Sequence, residues 1–395
     1  MSQIDVARAR RETPGCESVV HLNNAGASLM PDGVLRTVIE HLELEARIGG
    51  YEAAAREHDR VEAVYDSVAR LLGCVREEVA VVENATRAWD MAFYSIDFQP
   101  GDRILTCAAE YSSNYIALLQ VAKRTGAIVH VVDDDETGQI SLPALEAELA
   151  RGARLVSLVH VPSQGGLVQP AAAAGRLCRA AGVPLLLDAC QSVGQLPTDV
   201  GELQCDMLSA TGRKFLRGPR GTGFLYVRQE LIEQLEPPFL DLHSAEWIDR
   251  DSYMVRDDAR RFETWETSVA TKLGLGAAVD YALGWGLEPI AMRVQGLAAS
   301  LRARLQALPG VEVHDLGVEK CGIVTFTVEG VTAQAVVARL SAEGINVSLT
   351  PASYSRLDLG GRGLEAVVRA SVHYYNTDEE LARLVDAVAE AAPGG

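Results

Sequence analysis

Residues 183–227 read VPLLLDACQSVGQLPTDVGELQCDMLSATGRKFLRGPRGTGFLYV, and the rest of the chain falls into order around them. A short apolar run stops abruptly at an acid, Asp188. Lys214 follows on a loop of small residues and arginines, and a second apolar run, 223–227, comes after it. The pattern is that of a buried strand carrying an acid at its C-terminal end, with a lysine on the next loop.

Upstream, the same grammar repeats. Apolar runs at 79–82, 102–107, 127–132 and 154–161 alternate with helical stretches after Asn84, around 115–125, from Leu142 and at 170–181. This alternation predicts an α/β fold with a mostly parallel sheet covered on both faces. Ligands of such sheets lie beyond the strand C-termini. Thr86, Tyr111, Ser163, Asp188 and Lys214 each follow closely on an apolar run, so five candidates fall at one edge. At Asn84 the period changes from strand to helix, and the first N–H groups of that helix, with Thr86, suit an anion. Residues 32–73 read as two helices broken at Gly49-Gly50, and 268–308 is helical throughout. Beyond Gly286 short strands and helices alternate again, up to a closing helix at 377–391. The expected organisation is an N-terminal segment (1–30) packed near the site, a large cofactor-binding domain (31–286) and a smaller C-terminal α/β domain (287–395).

Composition removes several classes. At 395 residues the chain exceeds one ordinary core. A formal charge of −18 argues against a nucleic-acid partner. No apolar run approaches the roughly 20 residues of a membrane span, and MSQIDVARARRETPG lacks a signal-peptide core. A cytoplasmic protein is therefore expected. Seven cysteines without a CxxC pair read as small buried hydrophobes in a reducing compartment. Eight histidines show no metal-binding spacing, and His160 reads as a packed core residue. No GxGxxG follows the first strand, which disfavours a nicotinamide oxidoreductase.

Taken singly, Asp188 is an N-cap and the arginines around Lys214 are a solvated loop. Together they suit pyridoxal phosphate. A lysine forms the Schiff base and a carboxylate keeps the pyridine nitrogen charged. Arg213 and Arg217 disfavour the ammonium form of Lys214, which helps it attack an aldehyde. Gln191 is placed to donate to the phenolic oxygen. Intact Lys214 and Asp188 also argue against a catalytically silent protein.

Asp188-Ala189-Cys190-Gln191, then Thr211-Gly212-Arg213-Lys214, then Gly218-Pro219 and Gly221-Thr222-Gly223 resemble the class V aminotransferase branch of fold-type-I pyridoxal-phosphate enzymes. That branch includes cysteine desulfurases, selenocysteine lyases, isopenicillin N epimerase-like proteins and the sulfoxide lyases of ergothioneine biosynthesis. The resemblance extends through HLNNAGAS near residue 21, NATRA at 84–88 and VRASVHYYNTDEE at 368–380. It implies that Lys214 is the Schiff-base lysine, that Asp188 pairs with the ring nitrogen and that Gln191 reaches O3′. Thr86, the Arg87 amide, Thr211 and Arg213 would hold the phosphate. Tyr111 would stack on the ring, and Ser163 stands where asparagine is frequent. Arg369 would clamp the substrate carboxylate, with the backbone of Asn24, Ala25 and Gly26 over it. The segment RFETWETS, 261–268, implies a homodimer in which Thr267 reaches the partner's phosphate. Desulfurases of this branch carry a cysteine on the loop before the arginine strand, whereas SLTPASYSRLDLGG, 348–361, contains none. The expectation is therefore a lyase that β-eliminates a cysteine S-conjugate or sulfoxide without such a cysteine. Transamination and epimerisation are the alternatives.

Overall fold

The structure, a computed structural model, describes residues 4–391. The terminal residues of the two outer expected domains, 1–3 and 392–395, lie outside the described residues. Strand β1 (Val20–His21) opens the chain's strands. A central sheet then takes β2 (Val79–Val82), β3 (Arg103–Thr106), β4 (Ile128–Val131), β5 (Leu155–Val159), β6 (Leu185–Asp188), β7 (Met207–Thr211) and β8 (Gly223–Val227). Their spatial order is β2-β8-β7-β6-β5-β3-β4. The strands from β4 across to β7 pair parallel, and β8 runs antiparallel between β7 and β2.

Every residue of β5 to β8 is buried, because helices cover both faces. This is why these strands read as largely apolar runs, interrupted only by small polar residues such as Ser157 and Ser209, rather than as alternating ones. The edge strand β4 is only partly covered and carries His130 in mid-strand. The expected mostly parallel α/β sheet is present.

After a largely exposed hairpin, β9 (Ala245–Asp249) with β10 (Ser252–Val255), two helices follow, Val269–Trp285 and Leu287–Gln306. They meet at Gly286, whose φ of 84° lies in the left-handed region that favours glycine. The C-terminal part holds β11 (Val311–Val313), β12 (Ile323–Val328), β13 (Ile345–Asn346), β14 (Ser348–Pro351) and β15 (Ala366–Ser371). Four of them form an antiparallel sheet in the order β11-β12-β15-β14. Strand β1 pairs parallel with β13 in a separate two-stranded sheet, which ties the N-terminal segment to the C-terminal part.

Two details differ from expectation. Residues 32–73 form three helices, Asp32–Ile48, Gly50–Arg56 and His58–Leu72. The second break falls at Glu57, which has neither the glycine nor the proline that announces one in a sequence. Arg217, in turn, adopts a left-handed φ of 63° and points away from the lysine into the interior. Its guanidinium donates to Tyr374 Oη (2.7 Å), to Thr13 Oγ1 and, through Nε, to the Leu29 carbonyl (2.9 Å). It also lies over the rings of Tyr374 and Tyr375. No helix among the described residues is long and apolar enough to cross a membrane.

Candidate active site

The C-terminal ends of β5, β6 and β7, with the loop after β2, converge on one half-open cavity of about 430 Å³. Thr86, Tyr111, Ser163, Asp188, Gln191, Thr211, Arg213 and Lys214 all line it. The parallel register sets this edge: Val159 of β5 lies beside Asp188, and Asp188 beside Ser209 of β7.

Lys214 is 7 % exposed. Burial lowers the pKa of its ammonium, Arg213 and Arg369 push it the same way, and Cys190 and Asp188 oppose them. The amine is thereby biased towards its nucleophilic form. The second positive neighbour is Arg369, not Arg217, whose side chain is turned into the tyrosines. Asp188 is held on both oxygens: Oδ1 accepts from the Cys190 N–H (2.9 Å) and Oδ2 from Asn114 Nδ2 (2.9 Å). Cys190 also lines the cavity, and burial raises its thiol pKa.

An anion cradle lies at the start of the helix Ala85–Tyr94. Asn84 caps this helix by accepting from the Arg87 N–H (2.8 Å). The Arg87 amide is thus engaged, and Arg87 does not line the cavity; its guanidinium lies over Phe239 instead. The amides of Ala85 and Thr86 make no hydrogen bond among the described residues, so they are the donors left for a phosphate. Gly223 lets this turn approach β8: a Cβ there would stand 2.6 Å from the Asn84 carbonyl carbon and 2.8 Å from the Ala85 nitrogen. Gly223→Ala is therefore expected to cost about 1–3 kcal/mol of stability, seen as a lower urea midpoint, and to weaken cofactor retention in dialysis. Thr211 Oγ1 donates to the Thr222 carbonyl (3.1 Å) and keeps its lone pairs.

The N-terminal segment closes one side. Gln191 Nε2 donates one hydrogen to the Ala25 carbonyl (3.1 Å), keeping the other, and Arg213 Nη1 donates to the Gly26 carbonyl. Asn24 is buried, donating to the Ser371 carbonyl (2.7 Å) and accepting from Tyr375 Oη (2.5 Å). Its side chain fastens the segment rather than facing a ligand. Arg369, on β15, donates to the Ser163 carbonyl (2.7 Å) and has a buried Nε without a partner. Burial, reinforced by Arg213, lowers its pKa to about 10. Arg369 Nη2 also donates to Asn23 Oδ1 (3.4 Å), and a buried guanidinium whose Nε has no partner among the described residues suits a carboxylate. Thr267 is exposed, outside the cavity of a single chain. His160 is buried, and burial alone pushes its pKa down to about 4, as a packed core histidine requires.

Pyridoxal phosphate fits these residues: free amides and Arg213 for its phosphate, Asp188 for its ring nitrogen, Lys214 for its aldehyde. Sequence reading missed Glu110 and Asn114, which form a buried network behind Asp188. Their spacing of four residues, at the start of a helix, was the available signal.

A family model described as "Aminotransferase class-V" matches residues 20–384. A probable cysteine desulfurase of Synechocystis is 30% identical over 92% of this chain and 88% of its own length. One from Methanothermobacter thermautotrophicus is 28% identical over 98% of both chains. The apo structure of a cysteine desulfurase from Thermococcus onnurineus superposes with a TM-score of 0.93 over 100% of both chains, at 25% identity. These relatives overturn the expectation of a β-eliminating lyase of S-conjugates or sulfoxides. The cysteine-free loop bears on where an acceptor thiol stands, not on which bond the site breaks.

Proposed function

Because the chain belongs to the class-V aminotransferase family, with pyridoxal phosphate as its cofactor, we propose that it removes sulfur from a cysteine-type amino acid, the activity for which its relatives are named. The observation that carries this reading is the convergence of Lys214, Asp188 and the Ala85–Thr86 amides on one cavity, with Arg369 bonded to its wall, in a chain matched end to end by those relatives. When bound, the cofactor supplies an electron-withdrawing ring conjugated to the substrate's Cα. Lys214 Nζ would hold the cofactor and move the Cα proton, its lowered pKa keeping a lone pair available. Asp188, fixed by Asn114 and the Cys190 amide, keeps the ring nitrogen charged. Arg369 would orient the α-carboxylate, and Tyr111, in the cavity wall, would pack against the ring. In balance, L-cysteine and a thiol give L-alanine and a persulfide: the C–S bond breaks, an S–S bond forms and the thiol's proton passes to the substrate carbon.

The deciding assay incubates the holoenzyme with L-cysteine and dithiothreitol. Equal amounts of alanine and sulfide are expected. Pyruvate and ammonia in place of alanine, or strict dependence on an added keto acid, would overturn the reading. Arg369→Lys, which loses the two-pronged contact, is expected to raise KM for cysteine roughly tenfold or more in steady-state kinetics, with a smaller effect on kcat.

We also propose a homodimer in which the exposed stretch around Thr267 reaches the partner's phosphate site. Trp265 and Phe239 are 57% and 61% exposed, more apolar surface than water favours leaving open. Light scattering is expected to give about twice 42.4 kDa, and a fully active monomer would refute the dimer.

A further inference from the structure

Glu110 lies outside the cavity wall and is 4 % exposed. Its Oε1 accepts from the Tyr111 N–H (2.7 Å) and from Asn114 Nδ2 (3.0 Å). Its Oε2 accepts from Thr106 Oγ1 (2.9 Å) and Ser157 Oγ (3.0 Å). These neutral donors come from β3, the loop after it, the helix Ser112–Thr125 and β5, and they fill the carboxylate's acceptor sites. Asn114 Nδ2 donates also to Asp188 Oδ2, so one amide group bridges two buried carboxyls. A structural role alone would be served by an apolar side chain; a buried carboxyl without a cation is costly to keep.

We propose that Glu110 is a positioning and charge-tuning residue for the cofactor: through Asn114 it holds Asp188 in place, and its own ionisation sets how firmly Asp188 keeps the cofactor's ring nitrogen protonated. Burial, and after it the negative charge of Asp188, push the Glu110 carboxyl up to about 7. Its charge therefore changes near neutral pH. Ionised, it puts a second negative charge behind Asp188 and raises the basicity of the ring nitrogen. Protonated, it withdraws that charge.

The titratable groups facing it are few. Asp188 approaches from β6, and Lys214 couples to Asp188 from the loop after β7. Cys107, just after β3, has its thiol pKa raised well above normal by burial and by Glu110, so it stays neutral. The groups offered by the helix and by β5, Asn114 and Ser157, do not titrate. The proposal requires the cofactor but not any particular substrate, so it survives if the sulfur chemistry does not.

The test titrates the holoenzyme with pH, following infrared difference spectra and the cofactor's visible absorption, in wild type, Glu110→Gln and Ser157→Ala. Wild type is expected to lose a carboxylic-acid carbonyl band as pH rises through neutrality, and Glu110→Gln to lack that band. In Ser157→Ala the midpoint is expected to move up by about one pH unit, because the ionised carboxylate has lost a donor. The absorption titration is expected to contain a component that shifts with it, whereas the Lys214 component remains in all three proteins. A band that persists in Glu110→Gln, or cofactor absorption with the same pH dependence in all three, would overturn the proposal. Ser157→Ala retains the carboxyl and decides the matter alone if Glu110→Gln does not fold.

Discussion

Lys214→Ala is expected to lower kcat on the order of 10⁴-fold and to abolish the visible absorption that the covalently held cofactor gives the wild type. The size of the effect follows from the absence of a substitute. Lys214 is the lysine in the cavity wall, and the other basic groups nearby, Arg213 and Arg369, are guanidinium groups with no primary amine to bond an aldehyde. Removing the amine removes both the covalent anchor and the group that moves the Cα proton. The phosphate cradle at Ala85–Thr86 is untouched, so the variant should still bind the cofactor, now reversibly. Absorbance and cofactor stoichiometry after gel filtration, measured with kcat, separate the two losses. A variant that keeps its colour and more than a tenth of its turnover would remove Lys214 from the mechanism.

Asp188→Asn should be the next most damaging change. The amide keeps the shape and retains an oxygen for the Cys190 N–H or for Asn114, but it carries no charge to hold a proton on the ring nitrogen. Loss of one preorganised electrostatic partner predicts a fall of about 10²–10³-fold in kcat. The fall should appear per mole of bound cofactor. If only cofactor occupancy drops while turnover per occupied site stays level, Asp188 positions the cofactor without tuning it.

How much of this was legible before the coordinates depends on what kind of fact each residue expresses. The strand ends were readable because burial on both faces makes β5, β6, β7 and β8 largely apolar runs, and a charged residue or a cluster of polar ones at the end of such a run stands out. Eight of the expected cavity residues meet for that reason. Arg87 differs because its amide is taken by the helix cap, a choice made by Asn84's side chain rather than by strand periodicity. Arg217 differs because one left-handed residue reverses the direction of a side chain, and a sequence of arginines does not say which one turns. In the Glu110–Asn114–Asp188 network the first pair is local, four residues apart, but Asn114 and Asp188 are separated by 74 positions, so no local pattern announces what the pair supports. The reaction itself was misread for a different reason. The roles proposed for Lys214, Asp188 and Gln191 would prepare the cofactor for any chemistry at Cα, and a missing loop cysteine was made to choose among outcomes that those residues leave open.

The buried guanidinium of Arg217 has a consequence for how the enzyme comes into being. It joins Thr13 and Leu29, near the beginning of the chain, to Tyr374, near its end, and it sits three residues from Lys214. A buried charge stripped of its partners is strongly destabilising. During synthesis the cavity residues of the central sheet are therefore expected to leave the ribosome well before the lysine loop can settle, because Tyr374 follows Lys214 by 160 positions. The nascent chain is expected to build its sheet first and to become competent to capture its cofactor only once Tyr374 is available. Products cut short before Tyr374 are expected to carry Lys214 yet leave its loop unorganised.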